Sequence, residues 1–428
     1  MECDFAVYLN HSQIYNVRET VDTILVLFEA DDIHYSTGSE ASRIITENGI
    51  IRPDDIVFDD EDYPLVTAKQ SVKEVRDKLN VLGYGKIGVR GIFDHHVLAM
   101  RDLNERTIES YSNSTSGMES YVSDARAKLD YLNAIDYDEW YSIVSGSGTA
   151  NSETSLLANE LLHHYDDPLF VLSVILSNAV ETQELIFDFT DLHEYVDEVS
   201  FAIDAYNSNS GKPIIITEGT TDVEFLKKSI EVLYPYLTRY IKFLETDFKP
   251  ETNADAILKM AKNFASAGMS ENMLFILDND TAGTSAIASF GQSARRRLPP
   301  NFCITQYPDT ELLSSYPTKG PQGDSNLDVN GRAGSVELYL GRDALSDSNG
   351  VFRPIQWKGY IEKVEAYQGE VLDKRAIQNS FREKYRGVLA GDQINPANWV
   401  EMKVLLEHIL DKLSELPSIY PLQSVDDY

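Results

Sequence analysis

The chain has 428 residues, 43% of them hydrophobic, and a formal net charge of −32. That length exceeds the roughly 250–300 residues at which single cores stop growing, so two or three domains are expected, each with apolar residues enough for a core. The charge argues against a free-standing nucleic-acid binder with a basic surface, and two cysteines, Cys3 and Cys303, are too few for a disulfide framework.

The opening MECDFAVYLN is acidic and has no basic segment before an apolar one, so no signal peptide is expected. The longest apolar runs, such as 169–176, fall far short of a membrane span. A soluble, cytoplasmic protein is therefore expected, as a monomer or an oligomer. The charge is uneven. Residues 1–200 hold 13 Lys/Arg against 38 Asp/Glu, and the remaining residues hold 24 against 31. The acidic half is either a solvated surface or a docking face for a basic partner protein.

In chain order, residues 1–65 suggest a small mixed β region. FAVYLNHSQIYNV alternates around a polar break at 10–12 and predicts a hairpin, with a helix over 20–28 and acidic turns at 54–55 and 59–62. From Lys69 the period becomes helical, with Val72, Val75, Leu79 and Leu82 at spacings of three and four. Helices are predicted over 87–108, 118–134, 152–164 and 169–180, then a short strand over 184–189 and an acidic helix near 193–205. Residues 66–206 thus form a helical module, closed by the polar linker 207–211.

The second half alternates strand and helix. Strands are predicted at 213–217, 240–244, 273–277 and 302–305, and helices at 223–237, 254–267 and 284–297, the pattern of a mostly parallel sheet flanked by helices over 207–345. A C-terminal extension, 346–428, carries helices at 374–386 and 396–413, and Pro417 ends the second.

The richest stretch is MLFILDNDTAG, residues 273–283. Five apolar residues flanked by turn chemistry read as a buried parallel strand. It ends on Asp278 and Asp280, which share a face if the strand continues, at the end of the sheet where ligands gather. Two adjacent carboxylates repel, and a divalent oxygen-seeking cation relieves them. The plain alternative is a turn with a helix N-cap. Upstream, PIIIT leads into Glu218, Gly219 and, at a helix start, Asp222. Further on, Glu337 in GSVELYL either completes a capping box or adds a carboxylate to the site. The run Arg295, Arg296, Arg297 suits either a helix C-terminus or a nucleic-acid backbone. Lys358, in QWKGY, is either a surface lysine or a charge for a phosphate.

TEGTTDVEFLKKSIEVLYP (217–235), LDNDTAG (277–283), YPTKGPQG (316–323), DVNGRAGSVELYLG (328–341), QWKGY (356–360) and YQGEVLDK (367–374) resemble bacterial HEPN/Toprim-associated proteins, with FDFTDLHE (187–194) similar to the end of that family's first module. The resemblance implies a Toprim α/β domain behind a mainly helical HEPN-like module with a small N-terminal β region. It implies a metal-dependent nuclease acting on DNA or RNA, connected with anti-phage defence. Glu218 would be general acid/base or metal ligand, and Asp278 and Asp280 the pair holding Mg²⁺ or Mn²⁺. Asp222 and Glu337 would be further ligands. Arg90 and His95 match the Arg–His spacing of HEPN ribonucleases, which use no metal, or else are an incidental surface pair. A non-catalytic Toprim-fold subunit is the remaining alternative.

Overall fold

A computed structural model describes residues 2–20, 22–51, 64–111, 117–164, 167–192, 211–245, 253–320 and 323–417. The acidic turns expected at 54–55 and 59–62, the helix expected near 193–205 and most of the linker 207–211 lie outside those residues. The chain forms two compact units, divided between Ser210 and Gly211.

In the first unit, strands β1 (Glu2–Leu9) and β2 (Ser12–Thr20) pair as a hairpin. Its two turn residues, Asn10 and His11, have φ of 50° and 63°. That left-handed pair matches the twist of a two-residue hairpin, and asparagine tolerates it well. A four-residue α1 (Asp22–Leu25) stands where a helix over 20–28 is predicted. β3 (Ile33–Ser36), α2 (Gly38–Asn48) and β4 (Leu65–Ser71) follow.

Leu65, Val66, Thr67 and Ala68 are all buried, so β4 is an interior strand, and the helical period begins only at its end. There Ser71 and Glu74 form a capping box that starts α3 (Val72–Leu79). The helical array continues with α4 (Lys86–Tyr111), α5 (Glu119–Ala134), α6 (Tyr137–Val144), α7 (Ser152–Leu162) and α8 (Pro168–Ile175). The sequence reading missed α6, although Asp136 caps it by accepting from Glu139 N.

The last strand, β5 (Glu184–Asp188), enters the middle of the first sheet, whose order is β2-β1-β5-β4-β3, antiparallel throughout. Phe187 of β5 stands opposite both Val7 and Ala68. Phe5, Phe28, Phe187 and Phe189 pack as one aromatic core. The expected division at 65/66 therefore runs through one sheet. The small β region and the helices belong to a single unit.

The second unit is built on β6 (Ile214–Ile216), α9 (Thr220–Leu233), β7 (Lys242–Phe243), α10 (Ala254–Ser266), β8 (Met273–Leu277), β9 (Asn279–Asp280), α11 (Thr281–Phe290), α12 (Gln292–Arg295) and β10 (Phe302–Gln306). Four strands form a parallel sheet in the order β10-β8-β6-β7. All five residues of β8 are buried, as a central strand requires. The chain moves from β6 outward to β7, then crosses back to β8 on the other side. The carboxyl ends of β6 and β8 thus flank the topological switch point, where open α/β sheets bind ligands.

The helix expected over 284–297 is two helices. Asp280 caps the first earlier than predicted, and Gly291, with φ of 78°, ends it.

A second sheet of β11 (Tyr316–Gly320), β12 (Gly323–Leu327), β14 (Ile355–Ile361) and β15 (Ala366–Val371) follows, in the order β12-β11-β14-β15. Between them lie the two-residue β13 (Ala333–Gly334) and α13 (Arg342–Leu345), and α14 (Lys374–Leu389) and α15 (Val400–Ser414) close the unit. β11 pairs with β14, so the expected extension beyond 345 is part of this unit. Among the described residues no helix is long and apolar enough to cross a membrane.

Candidate active site

Glu218 lies two residues past β6 and Asp278 one residue past β8, at the carboxyl ends of adjacent strands. They meet directly: Glu218 Oε1 accepts a hydrogen bond from Asp278 N at 2.9 Å. Asp222 sits in the first turn of α9, its Oδ2 accepting from Gly219 N at 2.7 Å. Asp280 is the N-cap of α11, with Oδ1 accepting from Gly283 N at 2.7 Å. Capping engages one oxygen of Asp280, and Gln368 donates to the other.

Glu337 arrives from further along the chain. β13 pairs with β9, Ala333 opposite Asp280 and Gly334 opposite Asn279, and the 3₁₀ turn Val336–Tyr339 follows at once. Ser335 forms no cap hydrogen bond; its Oγ donates to Glu337 Oε2 at 2.7 Å. Glu337 is buried, and its Oε1 accepts from Gln378 Nε2 at 2.8 Å.

These five carboxylates share one electrostatic environment. Asp278 is half-buried as a residue and stands among the other four acids. Burial, then the charges of Asp222, Glu218, Asp280 and Glu337, hold it well above the usual aspartate range. Asp222 is pushed up to about 7 by burial and by Glu337, with Gly219 N and Lys374 opposing. Glu218 is raised by burial and by Asp280. Asp280 is raised by burial, against the hydrogen bonds from Gly283 and Gln368 and the charge of Lys374. The buried hydroxyl of Tyr307 is also raised, by burial and then by Asp222 and Asp278.

A set of like charges held this close is relieved by protons or by a cation. The donors are all oxygens, which suits Mg²⁺ or Mn²⁺. Among the described residues no three His, Cys, Asp or Glu side chains converge as they stand into a ligand set. Loading an ion therefore calls for side-chain rotation within the cluster.

Three residues that sequence reasoning passed over complete this environment. Gln368 of β15 donates from Nε2 to Asp280 Oδ2 at 2.6 Å, while its Oε1 accepts from Ala282 N at 2.9 Å. Gln378 of α14 holds Glu337, and Lys374 Nζ lies 3.8 Å from Glu337 Oε2. Gln368 and Lys374 fall in the YQGEVLDK block, but nothing in its spacing says that it faces a strand end nearly ninety residues earlier.

Two expectations follow. Gln368→Ala should weaken Mn²⁺ binding roughly tenfold or more, since residues that orient a ligand typically matter that much; calorimetric titration reads it directly. Gly283→Ala should cost about 1–3 kcal/mol by denaturant unfolding, because its Cβ would stand 2.5 Å from Asp278 O and 3.0 Å from Gln306 Nε2.

The other expected site residues lie elsewhere. Arg295 Nη2 donates to Ile304 O at 3.1 Å and Arg297 Nη2 to Ser293 Oγ at 2.9 Å. Arg295, Arg296 and Arg297 are exposed, beyond the far end of α11 from Asp280, a helix about 15 Å long. Lys358 pairs with Glu370 at 3.2 Å.

In the first unit, Arg90 and His95 are five positions apart on α4, about 140° around the helix, and do not share a face. The exposed Arg90 guanidinium lies over the Tyr137 ring at 5.2 Å, and His95 stands 6.5 Å from the ring of His96. The buried histidine is His96, pushed down to about 3 by burial and therefore uncharged at neutral pH.

Compared with protein-family models, curated proteins and solved structures, the chain has no match.

Proposed function

We propose that the second unit is a Toprim-type, metal-dependent nuclease cleaving phosphodiester bonds in DNA or RNA. The observation that carries this reading is that Glu218, Asp222, Asp280 and Glu337 all act electrostatically on Asp278, at the switch point of a parallel sheet. Bound there, Mg²⁺ or Mn²⁺ would activate water and stabilise the charge on the phosphate and leaving oxygen. Asp278, Asp280 and Glu337 would hold the ion, with Gln368 and Gln378 fixing the outer two carboxylates. Glu218, oriented by the Asp278 N–H, would take the proton of the attacking water. A role in bacterial defence follows from the family resemblance alone. A basic partner docked on residues 1–200 would offset the charge that hinders nucleic acid from approaching.

A second reading, a non-catalytic regulatory subunit, is favoured by one observation. Glu218, Asp222, Asp280 and Glu337 each already accept a local hydrogen bond, and among the described residues no three ligands converge. Calorimetry with Mn²⁺ separates the two. The nuclease reading expects binding that Asp278→Ala with Asp280→Ala abolishes; a wild type that binds no Mn²⁺ supports the regulatory subunit.

A further inference from the structure

We infer, on the nuclease reading, that Lys374 is the residue that contacts the scissile phosphate, its ammonium meeting a non-bridging oxygen as the phosphodiester reaches the carboxylates. An anionic phosphate entering a cluster of five acids needs a cation besides the metal, and the sequence offered Lys358 or the Arg295–Arg297 run for that purpose. Arg295, Arg296 and Arg297 lie beyond the far end of α11, and Lys358 pairs with Glu370 at 3.2 Å. Lys374 stands one step further in. Its Nζ is 3.7 Å from Glu370 Oε1 and 3.8 Å from Glu337 Oε2, so Lys358, Glu370, Lys374 and Glu337 form a chain of alternating charge leading to the acids.

Both contacts of Lys374 exceed the roughly 3.2 Å limit of a good hydrogen bond. The ammonium is held by charge rather than locked by geometry, and its side chain is 36% exposed. A modest rotation would let it exchange a carboxylate for a phosphate oxygen. Its charge already reaches two of the acids, lowering Asp222 and Asp280 against the burial that raises them. Position helps too. Lys374 opens α14 just after β15, and those elements supply Gln368 to Asp280 and Gln378 to Glu337. The segment that grips the outer carboxylates thus carries the lysine beside them.

The test compares wild type, Lys374→Ala, Lys374→Arg and, as control, Lys358→Ala. Mn²⁺ affinity by calorimetry, melting temperature and steady-state cleavage of an oligonucleotide are measured for each. Lys374→Ala should bind Mn²⁺ at least as tightly as wild type, because a cation has left the carboxylates. It should melt within a few degrees of wild type, yet lose about tenfold to a thousandfold in kcat/KM. Lys374→Arg should recover part of that loss, and Lys358→Ala should cleave normally. Two results would overturn the inference: cleavage by Lys374→Ala within twofold of wild type, or a loss of cleavage that tracks weakened Mn²⁺ binding. A wild type that binds Mn²⁺ but cuts no oligonucleotide would instead bring down the nuclease reading itself.

Discussion

Asp278→Asn should give a protein that melts higher than wild type in EDTA and cuts nothing in Mn²⁺. The reason lies in what surrounds the carboxyl group. Burial disfavours its charge, and Asp222, Glu218, Asp280 and Glu337 all act on it with the same sign. Holding charge there opposes folding, and an amide of nearly the same shape removes that charge while keeping the packing. A gain of roughly 1–3 kcal/mol, or about 3–10 °C, is expected for a unit of this size. The same change removes the carboxylate most central to the cluster, so metal-dependent cleavage should fall by at least about a hundredfold. Stability and activity moving in opposite directions is what a site strained for function predicts. Thermal melts in EDTA decide the first half; a variant that melts lower would mean that partners already satisfy the carboxylate.

The second large effect is on pH dependence. Asp222 is raised to about 7, and Glu218, Asp278 and Asp280 are raised as well. For an acid raised in the folded state, folding suffers no penalty below the unfolded pKa near 4, where both states are protonated. As pH rises, the unfolded chain ionises first, and the penalty grows until the folded group has ionised too. Metal-free protein should therefore lose stability as pH rises from about 4 to 7. For Asp222 alone the loss is on the order of 4 kcal/mol, the three decades between its ordinary value and about 7. Saturating Mn²⁺ should flatten the profile, because it binds the ionised carboxylates of the folded state only. Melting temperature against pH, with and without the ion, reads both statements. A metal-free profile that rises between pH 4 and 7 would contradict them.

Much of the second unit was legible because its signals are local. Five apolar residues before Asp278 mark a buried strand, and the alternation of strand and helix from Pro213 marks a parallel sheet. The bounds of α11 were missed because Asp280 caps it three residues early and Gly291 stops it, both choices of backbone geometry. The first sheet was misread for a different reason. LVTAKQS is central because β5, more than a hundred residues later, pairs beside it, and no local period reports such a partner. Gln368, Lys374 and Gln378 were missed for the same reason. Their side chains are common surface types, and the pairings of β9 with β13 and of β14 with β15 give them meaning only in three dimensions. Arg90 and His95 show the converse, a spacing that matches a motif while the helix turns the two residues apart.

The most direct measurement is cleavage of duplex DNA, single-stranded DNA and RNA by wild type and by Asp278→Ala with Asp280→Ala, in Mg²⁺, Mn²⁺ or EDTA. The carboxylate site predicts cutting of at least one polymer by wild type with metal, and none by the double variant or in EDTA. Cutting that persists in EDTA and in the double variant would contradict it and would place the activity outside these carboxylates.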